Sequence, residues 1–155
     1  MLPTQPRPFS WIRTRRLAIG GFPKNWDWLL QSGFNKIFSC CSYEEGEWNP
    51  PSHWSAMRLT LPDHRKQFKL EPPLLSSALD CLEEMVSGTA EEGALYLHCL
   101  AGKERSPLLA VGLLCRLENI DFFDALYEVR QLHQQTKPIV EHLIVLENLI
   151  KHGER

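Results

Sequence analysis

One run, Cys99-Leu100-Ala101-Gly102-Lys103-Glu104-Arg105, places a thiol, a glycine and a guanidinium at a spacing that suits anion chemistry. The residues before it, from Ala94, read as a short buried strand, and Ser106-Pro107 after it reads as a helix start, a capping hydroxyl followed by proline in the first turn. The run is therefore expected to join a strand to a helix N-terminus. There the backbone N–H groups of Leu100, Ala101, Gly102, Lys103, Glu104 and Arg105 can converge on an anion, and the helix dipole adds positive potential. Gly102 permits a backbone angle or a close approach that other residues resist. Arg105 offers a planar fork that matches two oxygens of a phosphate. Cys99 sits in the same field, which favours a nucleophilic thiolate. Taken singly, Cys99 could be a core cysteine and Arg105 a surface charge at a helix start. Together they build an anion site and a nucleophile in one loop.

The elements that must position this loop alternate between strand and helix. Strands are expected at Arg16–Gly20, Lys36–Cys41, Met57–Leu61 and Ala94–Cys99. Asn25 can cap a short helix over Trp26–Gln31, with Gly33 as its stop. Apolar residues from Leu74 to Val86 recur at helical spacing, with Gly88 after them. Three more helices are expected: one after Ser106-Pro107 to about Leu117, then Phe122–Gln134 and Pro138–His152. Residues 1–10, with three prolines, read as an extended arm. Ser42–Ala56 reads as turn-rich, too polar and proline-broken for core. The pattern predicts an α/β sandwich, a central, mostly parallel twisted sheet flanked by helices, in a single domain over residues 1–155. Such sheets bind ligands beyond the carboxyl ends of their strands, which is where Cys99 falls.

Composition narrows the function classes. A net charge of -2 and a pI near 6.3 give no global reason to bind nucleic acid or a membrane surface. No apolar run approaches the roughly 18 residues that a transmembrane helix needs, and the N-terminus has no signal-peptide core, so the expected location is cytoplasmic. Five cysteines, an odd number, argue against a disulfide framework. Cys40 and Cys41 read as packing residues, and no short paired Cys/His spacing suggests zinc. No metal and no cofactor are expected, and oligomeric state leaves no signature.

The sequence His98-Cys99-x-x-Gly102-x-x-Arg105-Ser106 resembles the signature of the cysteine-based protein tyrosine phosphatase superfamily, and the short chain is similar to its dual-specificity branch. Low-molecular-weight tyrosine phosphatases carry such a loop near the N-terminus, and rhodanese-like phosphatases would not predict the long helical tail. The resemblance implies a general acid on an upstream loop. Leu61-Pro62-Asp63, 36 residues before Cys99, resembles that loop with leucine for tryptophan. The ordinary alternative is a turn-capping aspartate. Asp80 is a rival acid, but it falls within an expected helix. By the same resemblance Cys99 is the nucleophile and Arg105 the phosphate clamp, Ser106 bonds the sulfur, and His98 shapes the loop.

The substrate implied is a phosphorylated protein, with shallow access for phosphotyrosine and phosphoserine/threonine, or a small phosphomonoester. The run Ala101-Gly102-Lys103 also resembles the loop of lipid and inositide phosphatases, and Arg65, Lys66 and Lys69 could add a basic contact, with His64 a further candidate beside Asp63. A phosphoinositide substrate and a non-catalytic phosphate-binding module therefore stand as alternatives. Tyr43, Trp48 and Trp54 either rim the site or fold inward over the sheet.

Overall fold

The computed structural model describes residues 9–65, 69–87 and 93–152. Its centre is strand β5 (Ala94–His98), in which every residue is buried. Leu95 and Leu97 enter one core while Ala94 and Tyr96 enter the other, as the two-residue period of a strand requires. Parallel neighbours lie on both sides, β2 (Leu17–Gly20) and β3 (Phe34–Ser39), and β4 (Ser55–Arg58) runs parallel outside β3. Strand β1 (Phe9–Arg13) closes the opposite edge antiparallel to β2, giving the order β1-β2-β5-β3-β4. The expected mostly parallel sheet is thus present with one antiparallel edge.

Helix α1 (Trp26–Gln31) packs on one face of the sheet, among Phe9, Trp11, Phe34, Trp48, Trp54 and Tyr96. Its N-cap is Asn25, whose side chain accepts from the Trp28 amide at 2.8 Å. The other face carries α2 (Pro72–Val86), α3 (Arg105–Glu118), α4 (Phe122–Leu132) and α5 (Val140–Lys151) around one aliphatic core. Helix α3 is buried from Arg105 through Cys115. Each fully buried leucine there contributes roughly 1.5–3 kcal/mol, so the helix that begins at the loop is firmly seated.

Four expectations need correction. Residues 9 and 10, read as part of the arm, begin β1, Phe9-Ser10-Trp11-Ile12-Arg13, directly after the prolines. The strand expected at 57–61 lies at Ser55–Arg58; beyond it, the amides of Leu59 and Leu61 still bond the carbonyls of Ser39 and Cys40 at 2.9 and 3.0 Å before Pro62 ends the pairing. The segment 42–56 is not merely polar cover. Trp54 is buried and Trp48 packs beside it, whereas Tyr43 is exposed. Ser106 does not cap α3: the N-cap is Glu104, without a side-chain cap bond. Pro107 still falls in the first turn, where a missing N–H removes no helical bond. Prolines 3, 6 and 8, Lys66 and Gly88 lie outside the described residues.

Candidate active site

The parallel strands end together. Gly20 and Ser39 both pair with His98, so Gly21, Cys40 and Cys99 leave the sheet side by side. Cys99 is buried at the foot of a cavity of about 190 Å³ lined by Asp63, His64, Arg65, Leu100, Ala101, Lys103, Glu104 and Arg105. A larger cleft of about 660 Å³ adjoins it, sharing Asp63 and His64 and lined further on by Lys69.

The loop is held from outside by its carbonyls. Those of Leu100 and Lys103 accept from the amides of Phe22 and Lys137, at 2.9 and 2.6 Å. His98 Nδ1 lies 3.1 Å from the Cys99 carbonyl. A carbonyl only accepts, so Nδ1 carries the hydrogen. Burial pushes the His98 imidazole down to about 4, which keeps it neutral. Among the described residues, no amide from Leu100 to Arg105 donates to a protein acceptor. Those donors remain for an anion.

Gly102 has φ +72°, and a Cβ there would stand 2.8 Å from Gly20 C and Gly21 N. The loop lies against the end of β2 so closely that only glycine fits. Gly102→Ala is therefore expected to raise KM for an aryl phosphate about tenfold or more, since small displacements of positioning groups have effects of that size. Unchanged Michaelis kinetics in that variant would contradict the packing argument.

Ser106 Oγ lies 3.3 Å from Cys99 Sγ and 3.2 Å from the Gly20 carbonyl, which also accepts from the Cys99 amide at 3.2 Å. With a thiol, Ser106 can donate to Gly20 and accept from sulfur. With a thiolate, it can turn its hydrogen to sulfur while Gly20 keeps the Cys99 amide. The hydroxyl can thus serve both charge states without leaving a buried carbonyl unpaired.

Arg105 is buried and gripped by a residue that sequence reasoning missed. Glu45 takes its Nη1 and Nη2 at 3.0 and 2.7 Å, while the carbonyls of Cys40 and Leu61 accept from Nη1 at 3.1 and 3.2 Å. Burial opposes the charge on Glu45, but the Arg105 bonds win and hold its carboxyl down to about 2. Arg105 Nε, also buried, has no partner among the described residues. An orphaned buried donor on a cation invites an anionic ligand. Glu45 reaches Arg105 from a short 3-10 turn, Tyr43–Glu45, where its carboxylate also accepts the Ser42 amide at 2.9 Å. The Ser42-x-x-Glu45 spacing was its one local signal.

Asp63 completes a ring of charges. It stands 3.5 Å from Arg105 and 2.5 Å from Arg65, and Arg65 returns to Glu45 at 3.0 Å. Burial pushes the Asp63 carboxyl up, yet the Arg65 bonds and the Arg105 charge leave it below the ordinary aspartate range. His64 pairs with Glu104 at 2.7 Å, joining the Asp63 loop to the anion loop. Lys103 is exposed at the cavity wall. Asp80 lies elsewhere, paired with Arg116 at 2.6 Å. Burial raises Cys40, and pushes Cys41 up to about 12, so these two pack as thiols.

No family profile matches the chain. A stretch of 56 residues, 36% of the chain, is 39% identical to 197R of Invertebrate iridescent virus 6, which carries the name of a tyrosine phosphatase; the match spans 21% of that protein's length. Solved structures match far more of the chain. Tk-PTP superposes with a TM-score of 0.79 at 20% identity over 94% of this chain and 97% of that one. A mouse protein described as a dual specificity phosphatase, solved with zinc tungstate, gives 0.77 at 17% identity over 98% and 92%. PTPMT1 in complex with PI(5)P gives 0.75 at 17% identity over 94% and 96%. The fold is tyrosine-phosphatase-like, shared with Tk-PTP, the mouse dual specificity phosphatase and PTPMT1. Among the described residues no helix is long and apolar enough to cross a membrane.

Proposed function

We propose that the chain is a cysteine-dependent phosphatase, a single cytoplasmic domain that hydrolyses phosphate monoesters of phosphoproteins with dual specificity. The observation that carries this reading is the convergence, on one small cavity, of Cys99, Arg105, Asp63 and loop residues Leu100, Ala101, Lys103 and Glu104, whose amides donate to no protein acceptor among the described residues. A cavity of about 190 Å³ over a buried sulfur suits a phosphoryl group whose bearer stays outside, which fits serine, threonine and tyrosine esters alike. The five unpaired cysteines fit a reducing compartment.

In the first step Cys99 attacks phosphorus in line with the departing oxygen, and Asp63 protonates that oxygen as the P–O bond breaks. The loop amides and Arg105 hold the equatorial oxygens through the transition state. Ser106 donates to the sulfur as it becomes a leaving group. In the second step Asp63, now a carboxylate, takes a proton from the water that attacks the cysteinyl-phosphate, releasing phosphate and the Cys99 thiolate. The test is turnover of a small aryl phosphate in excess EDTA. No turnover by the folded protein would defeat the proposal.

The charge ring gives this reading a pH signature. Arg65 favours the anionic form of Asp63, the wrong form for a general acid. Arg65→Gln removes that bias, so the Asp63 pKa rises and a larger protonated fraction persists at a given pH. The falling limb of kcat/KM is expected to move to higher pH in the variant. A limb that stays in place, or moves lower, would take the acid role away from Asp63 or the bias away from Arg65.

A second reading, a phosphoinositide substrate, is favoured by Lys103 at the cavity wall and by the likeness to PTPMT1, which was solved with PI(5)P. A charge contact from Lys103 to a second phosphate would contribute roughly 1.5–3 kcal/mol, about ten- to a hundredfold in kcat/KM. With a phosphoprotein substrate, Lys103→Ala changes kcat/KM on a phosphotyrosine peptide and on an inositide by similar small factors. A selective loss on the inositide, together with a wild-type preference for it, would move the assignment to the second reading.

A further inference from the structure

We propose that His133 is a positioning residue of the phosphate loop, holding the Gly102 carbonyl through Nε2–H while its Nδ1 accepts from Ser10; the role assigned rests on the phosphatase reading. His133 is fully buried where α4 ends. Its Nε2 lies 2.6 Å from the Gly102 carbonyl oxygen and its Nδ1 lies 2.7 Å from Ser10 Oγ on β1. Its own backbone is fixed, with its amide on the Val129 carbonyl at 2.8 Å and its carbonyl accepting from Thr136 Oγ1 at 2.6 Å.

The chemistry leaves one arrangement. The Gly102 carbonyl can only accept, so Nε2 carries the hydrogen. Burial lowers the His133 pKa, against the opposing pull of the Gly102 carbonyl, and favours the neutral ring. Nδ1 of that ring is an acceptor, and the Ser10 hydroxyl donates to it. A directed chain therefore runs from edge strand to helix end to loop: Ser10 to His133 to Gly102.

The consequence for the anion site follows from peptide geometry. In a planar trans peptide the carbonyl of one residue and the N–H of the next point in opposite directions. Holding the Gly102 carbonyl against His133 aims the Lys103 N–H away from His133. The next peptide is held the same way, since the Lys137 amide donates to the Lys103 carbonyl at 2.6 Å, which directs the Glu104 N–H. Lys103 and Glu104 line the cavity over Cys99, and neither amide donates to a protein acceptor among the described residues. The segment 133–137 thus sets the direction of two ligand-facing donors without touching the ligand.

The test compares the full chain with His133→Phe, which keeps a ring but removes both bonds, and with His133→Gln, whose amide N–H₂ can still donate to Gly102. Calorimetric titration with inorganic phosphate and kcat/KM on an aryl phosphate are measured for each. His133→Phe is expected to weaken phosphate binding and lower kcat/KM by about ten- to a hundredfold, and His133→Gln to recover most of both. In the unaltered protein, imidazole ¹⁵N shifts are expected to report the Nε2–H tautomer, and Ser10→Ala to retain it, since the Gly102 carbonyl can only accept. Wild-type phosphate affinity in folded His133→Phe, a His133→Gln no better than it, or an Nδ1–H tautomer in the wild type would each overturn the proposal. A wild type that binds no phosphate would instead strike the phosphatase reading, with the tautomer still deciding whether the chain of bonds exists.

Discussion

Cys99→Ser is expected to lose turnover by at least about 10⁴-fold, while phosphate affinity stays near that of wild type. The reason lies in the division of labour in the loop. Nucleophilic attack needs the sulfur, and removing a nucleophile that acts as one unit with its partners costs the greater part of catalysis. Binding needs the amides from Leu100 to Arg105 and the orphaned Arg105 Nε, none of which the substitution touches. Ser106, 3.3 Å from the sulfur, can bond the new hydroxyl as it bonds the thiol. Steady-state kinetics on an aryl phosphate and calorimetric titration with phosphate measure the two effects separately. Substantial turnover in the variant would sink the nucleophile assignment. Loss of phosphate affinity along with turnover would mean that the sulfur also organises the loop.

Asp63→Asn is expected to lower kcat by about 10²- to 10⁴-fold, the usual contribution of a positioned general acid. The loss should depend on the leaving group. An alkyl alcohol, as in phosphoserine, departs poorly without a proton and should show the larger loss. An activated phenol leaves readily and should show the smaller one. The amide that replaces the carboxyl is neutral at every pH, so the limb attributed to Asp63 should vanish from the profile. A variant with normal kcat on an alkyl phosphate would move the acid elsewhere.

The parts of the site that were legible in the sequence are those carried by a contiguous stretch. Cys99 through Arg105 needs no long-range contact to be read, because strand end, glycine and helix start are consecutive. Asp63 was legible only through the resemblance of Leu61-Pro62-Asp63 to an acid loop. Glu45 and His133 were not. Each acts on the loop from far along the chain, Glu45 on Arg105 and His133 on Gly102, and each meets its partner only after the strands pair and α4 packs. Glu45 also sat in a segment whose prolines and charges suggested solvent, although Trp48 and Trp54 in the same segment fold against the sheet. Ser106 was misread in part because a serine before proline is a local capping signal, whereas the hydroxyl instead faces Cys99 and Gly20. Strand β1 was missed because prolines precede it and the adjacent Trp11 and Ile12 break the two-residue alternation of a strand.

The central claim is that Cys99 carries the phosphoryl group between the two steps. Its most direct measurement is rapid acid quench during turnover of an aryl phosphate in excess EDTA, followed by mass spectrometry of the peptide that contains Cys99. The account predicts a transient mass increase of one phosphoryl group on Cys99, absent from Cys99→Ser and discharged as the substrate is exhausted. Full turnover with no phosphorylated Cys99 at any quench time, or with the group on another residue, would contradict it.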